Sequence, residues 1–406
     1  MQATSQPTGK APSIVSMPAL DFDNIQTAFS IRSNKSIRRA YWLFRLIGYN
    51  WLVKAGTPLI NLAITLHLPV RGLIKATIFR HFCGGENIND CDKTIKKLYL
   101  QGVGSILDYS VEGRELEEDF EKTCAEIIAT IARAKGDPAI PFSVFKVTGI
   151  ARFDLLAKVS ANEKLSDKEQ EEYNLIHDRV ERICKAASAG NVRIFIDAEE
   201  TWIQPAIDDM AAEMMKKYNA NQAIVYNTIQ LYRTDRLAFL KSEFEKAVSG
   251  NYMMGIKLVR GAYMEKERER AAKMKYPDPI QPDKKSCDRD YDDALKFCIE
   301  HVDRIAICAG THNEASSLLL ARLMVEKGLA LNHQHIYFSQ LLGMSDHISF
   351  NLCKAGFNVA KYVPYGPVAS VMPYLFRRAA ENTSISGQTS RELSLITREM
   401  KRRKLL

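Results

Sequence analysis

From about Gly102 onward the chain alternates between short apolar runs rich in β-formers and longer stretches with helical, one-sided hydrophobicity. That alternation is the signature of strand-helix units. Eight apolar runs stand out: Ser105–Ser110, Phe142–Thr148, Val192–Glu199, Ala223–Leu231, Met254–Tyr263, Arg304–Thr311, His335–Leu342 and Asn358–Tyr365. The stretches Glu117–Lys135, Glu171–Ala189, Ile203–Tyr218, Asp235–Val248, Tyr291–Val302, Glu314–Lys327, Ser345–Ala355 and Val368–Glu381 read as the helices that follow them. Gly190, Gly250, Gly328 and Gly356 fall where helices should stop. Eight units in about 280 residues predict an α/β fold, a (βα)8 TIM-type barrel. A doubly wound open sheet would normally show a Gly-x-Gly-x-x-Gly turn after its first strand, and none is present.

The pattern divides the chain into a leader expected to be disordered (1–23), a basic helical arm (24–101), the barrel (102–383) and a basic tail (384–406). Charge sharpens this division. Between Asn24 and Gly85 lie Arg32, Lys35, Arg38, Arg39, Arg45, Lys54, Arg71, Lys75 and Arg80 with no acid, which accounts for the whole +8 net charge. The arm interleaves these cations with Tyr41, Trp42, Phe44, Tyr49 and Trp51 and continues into the apolar run Leu59–Val70. Pro58 and Pro69 bracket that run, and it is too short to span a bilayer. A second basic cluster, Arg398 and Lys401 to Lys404, closes the chain. Three readings fit the arm: a solvated helical cap, a membrane-surface contact, or a nucleic-acid contact.

With 406 residues, 46% hydrophobic and 26% charged, the chain is long and apolar enough for a large core, which excludes disorder as its main state. Its eight cysteines are scattered without C-x-x-C pairs, so a reducing compartment is expected and no metal-finger spacing appears. Met1 to Leu20 shows no targeting signal.

In a (βα)8 barrel the chemistry gathers at the carboxyl ends of the strands. The polar residues there are Asp108 and Glu112, Lys146, Asp197 and Glu199, Gln230, then Lys257, Arg260 and Tyr263, Thr311-His312-Asn313, Gln340 and Tyr362. Arg377, Arg378 and Glu381 follow on the last helix. Several cations against few carboxylates argue for an anionic ligand, because paired arginines grip carboxylate or phosphate bidentately. The plainer readings stand beside it: Arg377-Arg378 as surface charges, His312 as a hydrogen-bonding residue, Asp197 and Glu199 as partners of barrel lysines. A metal-assisted lyase using Asp197, Glu199 and His312 as ligands is a further reading.

The strings Gly104-Ser105-Ile106-Leu107-Asp108-Tyr109-Ser110-Val111-Glu112-Gly113, Ile196-Asp197-Ala198-Glu199-Glu200, Lys257-Leu258-Val259-Arg260-Gly261-Ala262-Tyr263, Gly310-Thr311-His312-Asn313 and Tyr362 through Arg377-Arg378-x-x-Glu381 together resemble proline dehydrogenase, from about Gly102 to Asn382. The resemblance is closer to the monofunctional, mitochondrial-type branch than to the catalytic domain of the bifunctional bacterial proteins. It implies an FAD-dependent barrel that oxidises L-proline to 1-pyrroline-5-carboxylate and passes electrons to a membrane quinone. It further implies that Arg377, Arg378 and Lys146 hold the substrate carboxylate and that Tyr362, Tyr263 and Leu258 wall its ring. Asp197 is then near Lys146 and the flavin, while Ala198, Gln230, Lys257, Val259, Arg260, Gly261, Thr311, His312, Asn313 and Gln340 contact the flavin. Glu381 supports the arginine pair, and Glu112 pairs with Arg377 over bound substrate. Lys257 stands where the bacterial branch has Arg, which keeps a cation but loses the planar fork. The charged arm is then suited to an anionic leaflet on the inner face of a respiratory membrane, and nucleic acid is not expected as a partner.

Overall fold

A computed structural model describes residues 17–49, 71–111, 115–384 and 388–406, except the side chains of 379–384 and 388–390. Trp51, Lys54, the Leu59–Val70 run, Glu112, the Glu381 side chain and most of the 1–23 leader lie outside what is described.

Eight parallel strands close into a barrel in sequence order: β1 (Gly104–Tyr109), β2 (Phe142–Lys146), β3 (Arg193–Asp197), β4 (Val225–Gln230), β5 (Met254–Val259), β6 (Ile305–Gly310), β7 (Ile336–Leu341) and β8 (Val359–Tyr365). Pairing of β1 with β8, Ile106 opposite Tyr362, completes the ring. Alternate residues face inward, and the lower interior is aromatic. Phe142 and Phe195 stack 4.4 Å apart, Tyr226 meets both edge-on, and Arg193 lies over the Phe142 and Tyr337 rings as a plug. Gly255 makes room for this filling, because a Cβ there would stand 2.9 Å from the Tyr226 ring and 2.3 Å from the Val225 carbonyl oxygen. The opposite face of each strand packs on the helices in one continuous core.

Three of the apolar runs extend well past their strands: β2 ends at Lys146, where Val147–Gly149 turns into a short 3-10 helix. β3 ends at Asp197 because the backbone of Glu199 is taken by side chains: its N–H donates to Gln204 Oε1 and its C=O accepts from Gln230 Nε2. β5 ends at Val259, and the chain leaves the barrel at Gly261 with φ +129°. Within the barrel two further helices stand outside the pattern, Phe153–Ser160 and the charge-rich Met264–Met274, whose sequence carries little apolar stripe. Lys284–Glu300 begins earlier than expected, with the Asp283 side chain accepting from Ser286 N–H. Gly328 and Gly356 do take positive φ after their helices. After Gly190 and Gly250 it is Asn191 and Asn251 that adopt the left-handed conformation, which Asn tolerates better than other side chains.

The helix after β8, Met372–Ser384, was expected in the outer ring. Instead helix Ile88–Tyr99 lies against β1 and β8, and the main neighbours of Met372–Ser384 are the arm helix Asn34–Ile47 and the C-terminal helix Gln388–Arg402. A second hydrophobic core forms there from Ile37, Phe44, Phe79, Phe82, Val371, Leu375, Leu395, Ile396 and others. Residues read as tail are therefore a packed helix. Just past its end Arg403 pairs with buried Glu399 and donates to the carbonyls of Phe29 and Arg32.

A buried clasp joins this second core to the barrel. Asp346 accepts from Arg32 of the arm (2.6 Å) and Lys361 of β8 (2.9 Å), and Lys361 also donates to the Met344 carbonyl (2.7 Å). These two cations, against the opposing effect of burial, hold the Asp346 carboxyl well below the usual carboxylate range. A depressed native value means the clasp stabilises fully above the unfolded value, about 4, and is lost as pH falls through the native one. Asp346→Asn is therefore expected to cost ~3–5 kcal/mol at pH 7. Urea unfolding should show the deficit shrinking on acidification, and a deficit constant from pH 7 to pH 3 would contradict the assignment.

Candidate active site

The inward alternation that places Phe195, Ala360 and Tyr362 inside the barrel gives Asp108, Lys146, Asp197, Gln230 and Lys257 the same parity, at the carboxyl ends of five strands. Lys146 and Asp197 are register partners on β2 and β3. At the centre, Lys257 Nζ is ion-paired with Asp197 and donates to Tyr362 Oη (2.5 Å), whose hydroxyl lies 3.3 Å from Asp197 Oδ1. Lys257 is 4% exposed and lies over the rings of Phe195 and Tyr362. Three strands thus share one buried polar cluster, with aromatic faces completing the cation's surroundings. Burial, reinforced by the Asp197 charge, keeps the Tyr362 phenol protonated far above its ordinary range.

Around this centre the mouth divides into two sides. On one, Tyr263, half-buried just after β5, lies within electrostatic reach of Lys146, Glu199, Glu200 and Arg377. Burial pushes the Glu199 carboxyl up to about 7, opposed by Lys146 and by the N–H and hydroxyl of Thr148, both of which it accepts. On the other side stand Arg260, Thr311, His312 and Asn313. Arg260 is fixed by Asp288 (2.8 Å), Thr311 Oγ1 (2.8 Å) and Ser316 Oγ (2.9 Å), above the Tyr291 ring. Asn313 caps the helix Glu314–Glu326 by accepting from Ser316 N–H. Burial, with Lys361, Arg378, His347 and Arg260 nearby, pushes His312 down to about 3, so the imidazole is neutral. Arg378 is buried beside the Tyr374 ring.

Two expected site residues are placed otherwise. Leu258, fully buried, belongs to the core between strands and helices, because its neighbour Lys257 takes the inward position. Gln340 also has outward parity. Its amide donates to the Thr311 carbonyl (3.0 Å) and accepts from Ser349 Oγ (2.8 Å), so it shapes the β6 loop from behind. Val259 ends β5, Ala198 follows the last residue of β3, and Gly261 lies two residues past β5 against Tyr232. The residues of the metal reading are engaged separately: Asp197 with Lys257, Glu199 with Thr148, His312 with Ser345. Sequence reasoning missed Phe195, Asp288, Thr148 and Ser345, none of which belongs to a polar string at a strand end.

Fold and site together define a (βα)8-barrel enzyme with a cation-rich mouth suited to an anionic ligand. The family profile described as Proline dehydrogenase matches residues 91–391. Mitochondrial proline dehydrogenase 1 of Arabidopsis thaliana is 33% identical, the alignment covering 97% of this chain and 88% of that protein. Hydroxyproline dehydrogenase of Xenopus laevis is 30% identical, covering 92% and 88%. Among solved structures, proline utilization A from Bdellovibrio bacteriovorus shares the fold with a TM-score of 0.68 at 20% identity over 90% of this chain, which spans 36% of that longer one. This chain belongs to the proline dehydrogenase family.

Proposed function

We propose that this protein oxidises L-proline to 1-pyrroline-5-carboxylate with FAD as the electron acceptor and delivers the electrons to a membrane quinone. The observation that carries the reading is the Lys257–Asp197–Tyr362 cluster under a mouth that also gathers Lys146, Tyr263, Arg377 and Arg378. The donor set suits FAD: Arg260 and the N-terminus of Glu314–Glu326 lie on one rim segment, where a diphosphate is favoured. Lys257 places a cation at the barrel axis, where charge tunes a flavin's electronics.

When bound, FAD supplies a two-electron acceptor for the hydride leaving the substrate's ring carbon next to nitrogen. Arg377, Arg378 and Lys146 orient the substrate by its carboxylate. The same cations disfavour a protonated amine, so the ring nitrogen is presented neutral. Tyr263 and Tyr362 exclude water from the ring. Asp197 neutralises Lys257, so the cation is held at a fixed position without a net charge buried alone. The test is direct. The purified protein should show flavin absorption bands that bleach anaerobically on adding L-proline, and a colourless protein that binds no FAD would sink the proposal.

The Tyr362 hydroxyl is already bonded to Lys257 and Asp197, leaving no partner for a substrate hydroxyl. L-proline is therefore expected to exceed trans-4-hydroxy-L-proline in kcat/KM by about 10- to 100-fold, and Tyr362→Ser should narrow the gap. Equal efficiencies in the parent would sink the assignment of L-proline as the preferred substrate.

The arm supports surface attachment to a respiratory membrane, in keeping with the mitochondrial relatives. Its helix turns Arg38, Trp42, Arg45 and Leu46 outward, with Arg45 over the Tyr41 and Trp42 rings, and Tyr49 just beyond it is exposed too. Arg32, in contrast, faces inward to Asp346, and Arg39 is partly buried. Among the described residues no helix is long and apolar enough to cross a membrane. Changing Arg38 and Arg45 to Gln should weaken binding to anionic vesicles in a salt-sensitive way while turnover with a soluble dye is kept. Unchanged vesicle binding would leave the arm as a cap alone.

A further inference from the structure

Ser345 breaks two local rules at once. It stands at the N-cap of helix Asp346–Lys354 with φ +49° and ψ +42°, a left-handed conformation costly for a side-chain-bearing residue. A serine at an N-cap ordinarily caps the helix with its own oxygen, and this one makes no such bond. Both departures have the same result: the hydroxyl is turned to His312 Nδ1, 2.8 Å away on the β6 loop. The strained backbone is held from outside, because its N–H donates to the carboxylate of Glu392, a buried residue of the C-terminal helix 47 positions later. Ser345 is 1% exposed and Glu392 is 4% exposed, so neither exchange is made with solvent.

The hydroxyl bond fixes a tautomer. Among the described residues His312 Nδ1 is the one hydrogen-bond partner of Ser345 Oγ, so the hydroxyl proton has one place to go. A neutral imidazole accepting at Nδ1 carries its proton on Nε2. Burial, with the positive charges of Lys361, Arg378 and Arg260 and the nearby His347, disfavours a protonated imidazole, although the Glu392 carboxylate stands on the far side of Ser345.

We propose that Ser345 and Glu392 are positioning residues that lock His312 as the neutral Nε2–H tautomer, so that the β6 rim presents a fixed hydrogen-bond donor to an acceptor atom of the bound flavin. The device spans three distant parts of the chain: the β6 loop supplies the ring, the β7 turn the hydroxyl, and the C-terminal helix the anchor. The flavin half of this inference rests on the function proposed above, and the tautomer half on the polypeptide alone.

The test uses the purified full chain with 15N-labelled histidine, the His312 signals being assigned by comparison with His312→Gln. Long-range 1H–15N spectra should show the Nε2–H pattern in the parent. Ser345→Gly removes the hydroxyl and relieves the left-handed backbone, so it should retain parental thermal stability while His312 becomes a tautomer mixture. Glu392→Leu should loosen the same signals, and Glu392→Gln, which keeps an acceptor for the Ser345 N–H, should restore them. Titration with FAD itself should show about three- to tenfold weaker binding to Ser345→Gly, the effect of one hydrogen bond. An Nδ1–H pattern in the parent, or a pattern unchanged in Ser345→Gly, would overturn the tautomer lock. A correct tautomer in a protein that binds no FAD would overturn the flavin reading and leave the lock standing.

Discussion

Replacing Arg378 by Met is expected to lower kcat/KM for L-proline by about 10²- to 10³-fold, with FAD content retained. The guanidinium is buried beside Tyr374, with a charge that reaches His312, so a carboxylate bound there is largely removed from water. Truncating one partner of a desolvated, hydrogen-bonded charge pair typically costs ~2–5 kcal/mol, and about 1.4 kcal/mol is a factor of ten. Met keeps much of the apolar stem, so the loss isolates the charge. The loss should exceed that from Glu112→Ala, which removes a proposed partner of Arg377 and leaves the substrate carboxylate its own cations. Steady-state kinetics with a dye acceptor decide the matter. An Arg378→Met enzyme within threefold of the parent would take Arg378 out of the substrate site.

Lys257→Met should be the most damaging single change at the barrel centre, for stability as well as activity. It leaves Asp197 without its cation, next to Tyr362 and above an aromatic floor. Removing one member of a buried pair commonly costs ~3–5 kcal/mol because the other charge remains. The double change Lys257→Met with Asp197→Asn removes both charges and should recover most of that stability. Recovery should not extend to turnover, since the cation at the barrel axis is still missing. Urea unfolding of the two singles and the double gives the coupling energy directly. Additive losses would mean that the pair is not coupled in the folded protein.

The barrel was legible in the sequence because strand and helix periods are local: a period of two or a continuous apolar run can be read without knowing what packs on it. The polar strings at strand ends were legible for the same reason. Asp197, Lys257 and Tyr362 could be gathered into one site once eight parallel strands were counted, since parallel topology puts all their carboxyl ends on one face. The sequence also located the excess charge in residues 24–85, a matter of composition alone.

What composition and period could not decide is which partner each charge meets. Arg32, Arg38, Arg39 and Arg45 look alike in the chain, yet Arg32 closes a buried clasp with Asp346 while Arg38 and Arg45 face outward. The placement of the last helix was equally out of reach. Val368–Glu381 has the pattern of a barrel helix, but Ile88–Tyr99 fills that slot, and the helix is mounted on arm and C-terminal residues more than 300 positions apart. Leu258 and Gln340 turn away from the mouth because parity along a strand depends on register, which only the closed barrel sets. Sequence alone determined the fold class, the family resemblance and the strand ends where chemistry gathers, all of which depend on short-range order. The tertiary structure alone decided the charge partners, the seat of the arginine helix and the Glu392–Ser345–His312 connection, because those depend on contacts between residues far apart in the chain.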